Sequence, residues 1–546
     1  MSRTLVTVSR IANAPNSLHG REFCAVPATL SATGTIRLRQ WQPILLLAMV
    51  CLCFAAAQGA EPASPPLPPG MVLTTPVISE EIPEVLRELH KRLSKGIAPK
   101  DNAAVWLLHI YGDGALDAPL HDVTLEMLGI ETMSPASPLF VSIDEFVRSQ
   151  GHASPEEAAR EGLLIDQQLQ AAGQELWTAA QSPQLASYLK ANENALKTLT
   201  IAADCPSYFA PLLAPELPSR LLSVSLVIER RLPFLCRLLA VRALLRFSER
   251  NLSGCLEDLT SIHKLAVLLA NGSPFDVSVA KGQVMDSIAF QAERALLESG
   301  QLTRDDLHAF QTSVAAYPAF PPAWKAADVG ERAIIQQELM LLKTDKDSKT
   351  GFFEESEHER VDPEQMRSLD EVSWSLAQQE ANRIQDQVVA ALKIKDRSEQ
   401  LARFRELDSA YALWEATVDV KTAKFSMQLK KDLPGMSRWV GENMAMSLRP
   451  NYYQRRASED RMDVRRDLIV AGIALEMKCR ENGEFPAALA DLVPSVFPAV
   501  PRDACTDAPF VYQHPTSTQA RLMSLGTNRV DDAGQNYNDD VELKLH

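Results

Sequence analysis

Aromatic residues make up only 6% of this chain. No convincing alternation of apolar and polar residues marks a strand between about residues 79 and 449. With alanine and leucine abundant, that shortage points to helix rather than sheet. Catalytic signatures are missing as well: the chain has no GxSxG, no Walker A loop, no GxGxxG and no HExxH. His358-Glu359 begins the last of these, but Asp362 stands where the second histidine belongs. Positive charge is scarce, with 55 Lys and Arg against 70 Asp and Glu, a net −15. Residues 1–60 hold five Arg and one Glu, so everything beyond them carries −19. A surface of that sign excludes nucleic acid, whose phosphates need basic patches.

Cysteine is sparse where it could matter. Cys24, Cys51 and Cys53 precede residue 60, and Cys205, Cys236, Cys255, Cys479 and Cys505 remain. No CxxC occurs among these five, which argues against a zinc ribbon or a thioredoxin-type site. Cys479 and Cys505 are the pair best placed for a disulfide. Closing their loop of about 26 residues would contribute roughly 3 kcal/mol. Two buried free thiols are the alternative.

What is present begins with an address. Arg37 and Arg39 precede the apolar run ILLLAMVCLCFAAA, residues 44–57, and Ala57-Gln58-Gly59 fits a small-residue cleavage site. The run is shorter than the roughly 20 residues of a bilayer span. Residues 1–60 therefore read as an export signal that is cleaved, or else kept as an anchor. The expected location is the periplasm or cell envelope, with membrane contact only through that segment. Residues 61–78, which begin EPASPPLPPG, read as a Pro-rich linker.

From about residue 79 to 449 the pattern is helix after helix, with apolar residues at i, i+3, i+4 and i+7. Ser154 with Glu157 has capping-box spacing. Residues 230–300 look most like stacked αα-hairpins, and no fixed 34-residue period appears. We expect a helical domain over 79–343, an exposed charged loop over 344–362 and a second helical subdomain over 363–450. A hinge follows over 451–458, then a small module over 459–546. The fold class is mainly α: an irregular multi-helix array or bundle with a small C-terminal α+β module.

Few side chains invite chemistry. Asp345 to Gly351 imitates a calcium loop, but glycine is one place late and Lys349 sits where a ligand should be. His109 and His263 lie on Leu/Ala-rich helices, as core histidines do. Arg230 and Arg231 read as a solvated helix end. A cleft gathering His109, His263 or Glu229 would point to an enzyme.

The C-terminal segment is richer in pattern. A long helix is stopped by Asn482-Gly483, then come Phe485-Pro486, Leu492, Pro501-x-Asp503, Pro509-Phe510-x-Tyr512 and Ser524-Leu525-Gly526. This order, over roughly residues 460–545, resembles the C-terminal half of the major pseudopilin of type II secretion, a relative of type IV pilins. The resemblance implies an α+β fold and calcium in the loop after Ser-Leu-Gly. Its ligands would be the Leu525 carbonyl, Asn528, Asp531, Asp532 and Asp539 or Asp540, hard oxygen donors of the kind calcium takes. Asn528 replaces an acidic ligand of that family. The apolar N-terminal helix of a pseudopilin is not there: RRASEDRMDVRR precedes the module instead. The module therefore resembles the tail of large exported bacterial helical proteins, which brings no activity with it. Function is expected to be that of an exported, non-enzymatic scaffold that binds a protein partner of the envelope. The alternatives are an enzyme with a cleft in the helical body and an accessory component of a secretion machine.

Overall fold

The computed structural model describes residues 71–77, 84–133, 139–151, 154–215, 220–353, 363–449, 451–526, 529–531 and 540–546. All of them belong to the unit Ser64–His546. The chain is mainly α, with small sheets of two or three strands. Helix starts follow the capping logic of the sequence. Ser142 and Glu145 form a reciprocal capping box, as do Thr303 and Asp306. Ser154 Oγ accepts the Glu157 amide at 3.2 Å, as its spacing predicts.

The expected hairpins of residues 230–300 are three consecutive helices, Leu232–Ser248, Leu252–Gly272 and Asp276–Glu298, each touching the other two. Their apolar faces, including Leu239, Leu259 and Leu296, lie in the largest core. A second core gathers Ile335, Phe425, Trp439 and Val440 from the later helices. Within it, the Trp374–Lys393 and Leu433–Ser447 helices meet where Gly441 faces the Ala377 carbonyl. A Cβ on Gly441 would sit 2.0 Å from that oxygen. Gly441→Ala is therefore expected to lose roughly 1–3 kcal/mol by overpacking, read as a lower urea midpoint. An unchanged midpoint would contradict so close an approach.

Several expectations change. The stretch expected as an exposed loop over 344–362 holds a helix, Lys346–Phe353, whose Phe353 enters the second core. Residues 354–362 lie outside the described residues. The segment expected as a hinge, 451–458, supplies the first turns of one 31-residue helix, Tyr452–Asn482. Asn451 caps it by accepting the Gln454 amide at 3.0 Å. An Asx cap followed by charged residues reads as a loop in sequence and starts a helix here. A short ladder pairs Val72–Leu73 with Ile130–Thr132, which no alternation announced.

The C-terminal elements are not a separate cap. Val464, Leu468 and Ile473 of the long helix share the largest core with Phe510, Leu543 and Leu545. Gly483, at φ +81°, ends that helix in the left-handed conformation predicted for it. After it the chain makes a single 3₁₀ turn, Leu489–Leu492. Strands Val511–Thr516, Gln519–Ser524 and Val541–Leu545 follow in antiparallel order. Both sheet edges are guarded. Glu298 accepts the Lys544 amide at 3.0 Å on one side, and Pro515 with an irregular register blunts the other. Cys479 and Cys505 are not bonded: all five cysteines of the described unit are free. Burial pushes the Cys479 thiol up, and Cys505 lies in the core. No helix of the described residues is long and apolar enough to cross a membrane.

Candidate functional site

The residues that carried the resemblance are hydrogen-bonded to one another. Buried Asp503 accepts the Cys505 amide at 2.8 Å and the Ser524 hydroxyl at 2.9 Å. Ser524 Oγ in turn accepts the Gly526 amide at 3.2 Å. Tyr512 donates to the Pro486 carbonyl at 2.8 Å, and the Phe485 amide to Ser517 at 2.8 Å. The Pro-Arg-Asp turn and Ser-Leu-Gly thus brace the same loop base. Of the six residues expected around a cation, Leu525, Asp531 and Asp540 are described, while Asn528, Asp532 and Asp539 lie outside the described residues. Asp531 lies 3.6 Å from the Arg521 guanidinium, which also bonds Glu542. Among the described residues no group of three or more His, Cys, Asp or Glu is arranged to hold a metal.

His109, His263 and Glu229 each have their own surroundings. His109 is buried in the core, which pulls its pKa down. His263, on the Leu252–Gly272 helix, donates from Nδ1 to Asp286 at 2.9 Å and from Nε2 to Glu293 at 3.0 Å. Tyr317 stacks on the imidazole at 4.1 Å and donates its hydroxyl to Glu293 at 2.7 Å. Burial opposes the charge on His263, but Glu293 and Asp286 outweigh it and raise its pKa to about 10. This is an imidazolium with both N–H groups committed, beside a cleft of about 70 Å³. Asp463 and Arg465 of the long helix face the same cleft.

Glu229 anchors a second network. Its Oε2 accepts the Ser278 hydroxyl at 2.5 Å and the Lys281 ammonium at 3.2 Å. The Ser273 hydroxyl donates to Ser278 at 2.8 Å, and Tyr208 reaches Glu229 at 3.5 Å. Ser273 and Tyr208 continue into a groove of about 460 Å³. The groove lies where the end of the Leu252–Gly272 helix meets residues 206–208 and Trp324. No family model, curated protein or solved structure matches this chain. The reading of the groove therefore rests on its own geometry.

Two glycines allow its walls to meet. A Cβ on Gly272 would sit 2.0 Å from the Tyr208 carbonyl, and one on Gly330 2.1 Å from that of Pro274. Gly330 lies in a π-helical turn, Ala327–Glu331, of the wide kind that recurs at functional sites. The Lys393 ammonium lies 4.3 Å over the Trp324 ring. Arg455 of the long helix pairs with Asp276 at 2.8 Å and with Glu331, in the same π-helical turn, at 3.7 Å. Burial raises both carboxyls. Arg92 and Lys325 stand exposed among the lining residues. Neither pairs with a carboxylate among the described residues, whereas Asp328 is neutralised by Arg332 at 2.8 Å. Sequence reasoning missed the groove because its parts come from remote segments. For the His263 cluster one signal was available: Asp286 and Glu293, two helical turns apart, had to share a helix face.

Proposed function

We propose that this chain is an exported scaffold that binds a protein partner of the cell envelope. The groove beside Trp324 carries the reading. It is concave, about 460 Å³ in volume, walled by segments that meet at glycines, and rimmed by cations on an otherwise acidic protein. Size and mixed apolar–polar walls suit ligand capture. The groups with the most catalytic character are committed elsewhere: His263 spends both nitrogens on carboxylates, and Glu229 holds two donors. Arg37 and Arg39 ahead of the apolar run support export. Pull-down from envelope extract tests the proposal, with size-exclusion to follow the complex. A defined complex is expected; no partner and no envelope association would overturn it.

The C-terminal loop is proposed to hold calcium as a structural ion. Its donors, Leu525, Asn528, Asp531, Asp532, Asp539 and Asp540, are all oxygens, as calcium requires. Arg521 beside Asp531 is the cation that the described side chains place there. A bound ion would stabilise the fold by RT ln(1 + [L]/Kd) and raise the melting temperature accordingly. A chelator should lower the Tm, and Asp531→Ala should abolish that shift. No shift in either protein would end the calcium proposal. Co-purification with secretion components would favour the accessory role that the pseudopilin-like tail raises.

A further inference from the structure

The groove's chemistry narrows what enters it. Its rim offers two cations without carboxylate partners among the described residues, Arg92 and Lys325. One wall is the indole of Trp324, and Leu93, Ile97 and Leu268 supply apolar surface. Deeper in, Ser273 has already committed its proton to Ser278, so the hydroxyl it presents is an acceptor. The walls are fixed beforehand, by Gly272 against Tyr208 and Gly330 against Pro274. The Lys393 contact holds Trp324 in place. A site built this way needs little ordering on binding, and its selectivity rests on charge at the rim and shape within.

We infer that the occupant is an extended peptide segment of the partner, with an aromatic side chain flanked by acidic residues. The aromatic ring packs beside Trp324, and the carboxylates meet Arg92 and Lys325. This rests on the reading of the chain as a protein-binding scaffold. On a protein of net −15, an acidic segment is repelled by most of the surface and attracted at this rim. Long-range repulsion elsewhere therefore adds to selection for the groove.

The test uses the full chain and three labelled peptides in fluorescence anisotropy. One carries phenylalanine between two aspartates; the second has alanine for phenylalanine; the third has lysines for the aspartates. The first should bind saturably, and the other two at least about tenfold more weakly. Arg92→Glu combined with Lys325→Glu should weaken the first peptide by at least about tenfold. Both side chains are exposed, so the double variant should keep the wild-type Tm, which is measured alongside. Added salt should weaken the first peptide progressively. Equal binding of the lysine peptide, undiminished binding by the double variant, or no binding of any peptide overturns the inference. The scaffold reading survives that failure if wild type and double variant capture the same envelope partner. It fails if neither captures any.

Discussion

His263→Leu is expected to cost this protein roughly 3–5 kcal/mol of stability, because it removes one member of a buried charge cluster. His263 is 8% exposed and Glu293 3%. The leucine would take the imidazolium away from both Glu293 and Asp286, with Arg465 the cation that still acts on Asp286. His263→Gln, which can still donate to one carboxylate, should recover part of the loss. Urea denaturation of the three proteins measures it. A loss under about 1 kcal/mol would show that the cluster contributes little.

The same cluster sets a pH dependence whose sign can be worked out. His263 titrates at about 10 when folded, against 6.5 ordinarily. Its contribution is complete below pH 6.5 and is lost as pH rises towards about 10. Over that window the stability gap between wild type and His263→Leu should shrink. Two carboxyls on the long helix act in the same direction at lower pH. Burial raises Asp467 to about 6 and Glu476 to about 7. Each favours the fold while protonated, and that advantage disappears as pH rises through its folded pKa. The wild-type Tm should therefore fall from mildly acidic to alkaline pH. A Tm that rises steadily over pH 6.5–10 would contradict the assignment.

Asp460→Ala is expected to cost about 3 kcal/mol, the lower end of the range for breaking a buried ion pair. Asp460 is 0% exposed. It meets Arg397, at the start of the Arg397–Glu415 helix, and lies 2.8 Å from Arg456 as an ion pair. Both arginines keep about a quarter of their side chains in water, so solvent recovers part of the lost pairing. The loss should be local as well as global. Arg397 loses its tie to the long helix, so amides of the first turns of Arg397–Glu415 should exchange faster with deuterium. Unchanged protection there, with normal urea stability, would show that the Arg397 link is dispensable.

Much of the architecture was legible because it is carried by local rules. The hairpins of 230–300, the stop at Gly483 and the cap at Ser154 all depend on residues within a few positions of each other. What escaped depends on remote partners. Asn451 and Arg455 look like loop residues until Asp276, Glu331 and the cap bond are placed around them. The two glycines that shape the groove read as a helix end and a helix interior. Their role appears only when the carbonyls of Tyr208 and Pro274 come within 2.0 and 2.1 Å of where a Cβ would be. The expected pairing of Cys479 with Cys505 rests on their sharing one small module; Cys505 lies in the core and Cys479 packs against it, unbonded. The Asp503–Ser524 bond gives the C-terminal motif a structural reason that its spacing alone could not supply.

Site-specific photocrosslinking in the native envelope tests the central claim most directly. A photoreactive residue at Asn271, exposed on the groove, is compared with one at Leu413, 69% exposed on the later helical region. The groove position should yield one discrete adduct that disappears when Arg92 and Lys325 are both changed to glutamate, and Leu413 should yield none. An adduct from Leu413 alone, or a groove adduct indifferent to those two charges, would contradict the account.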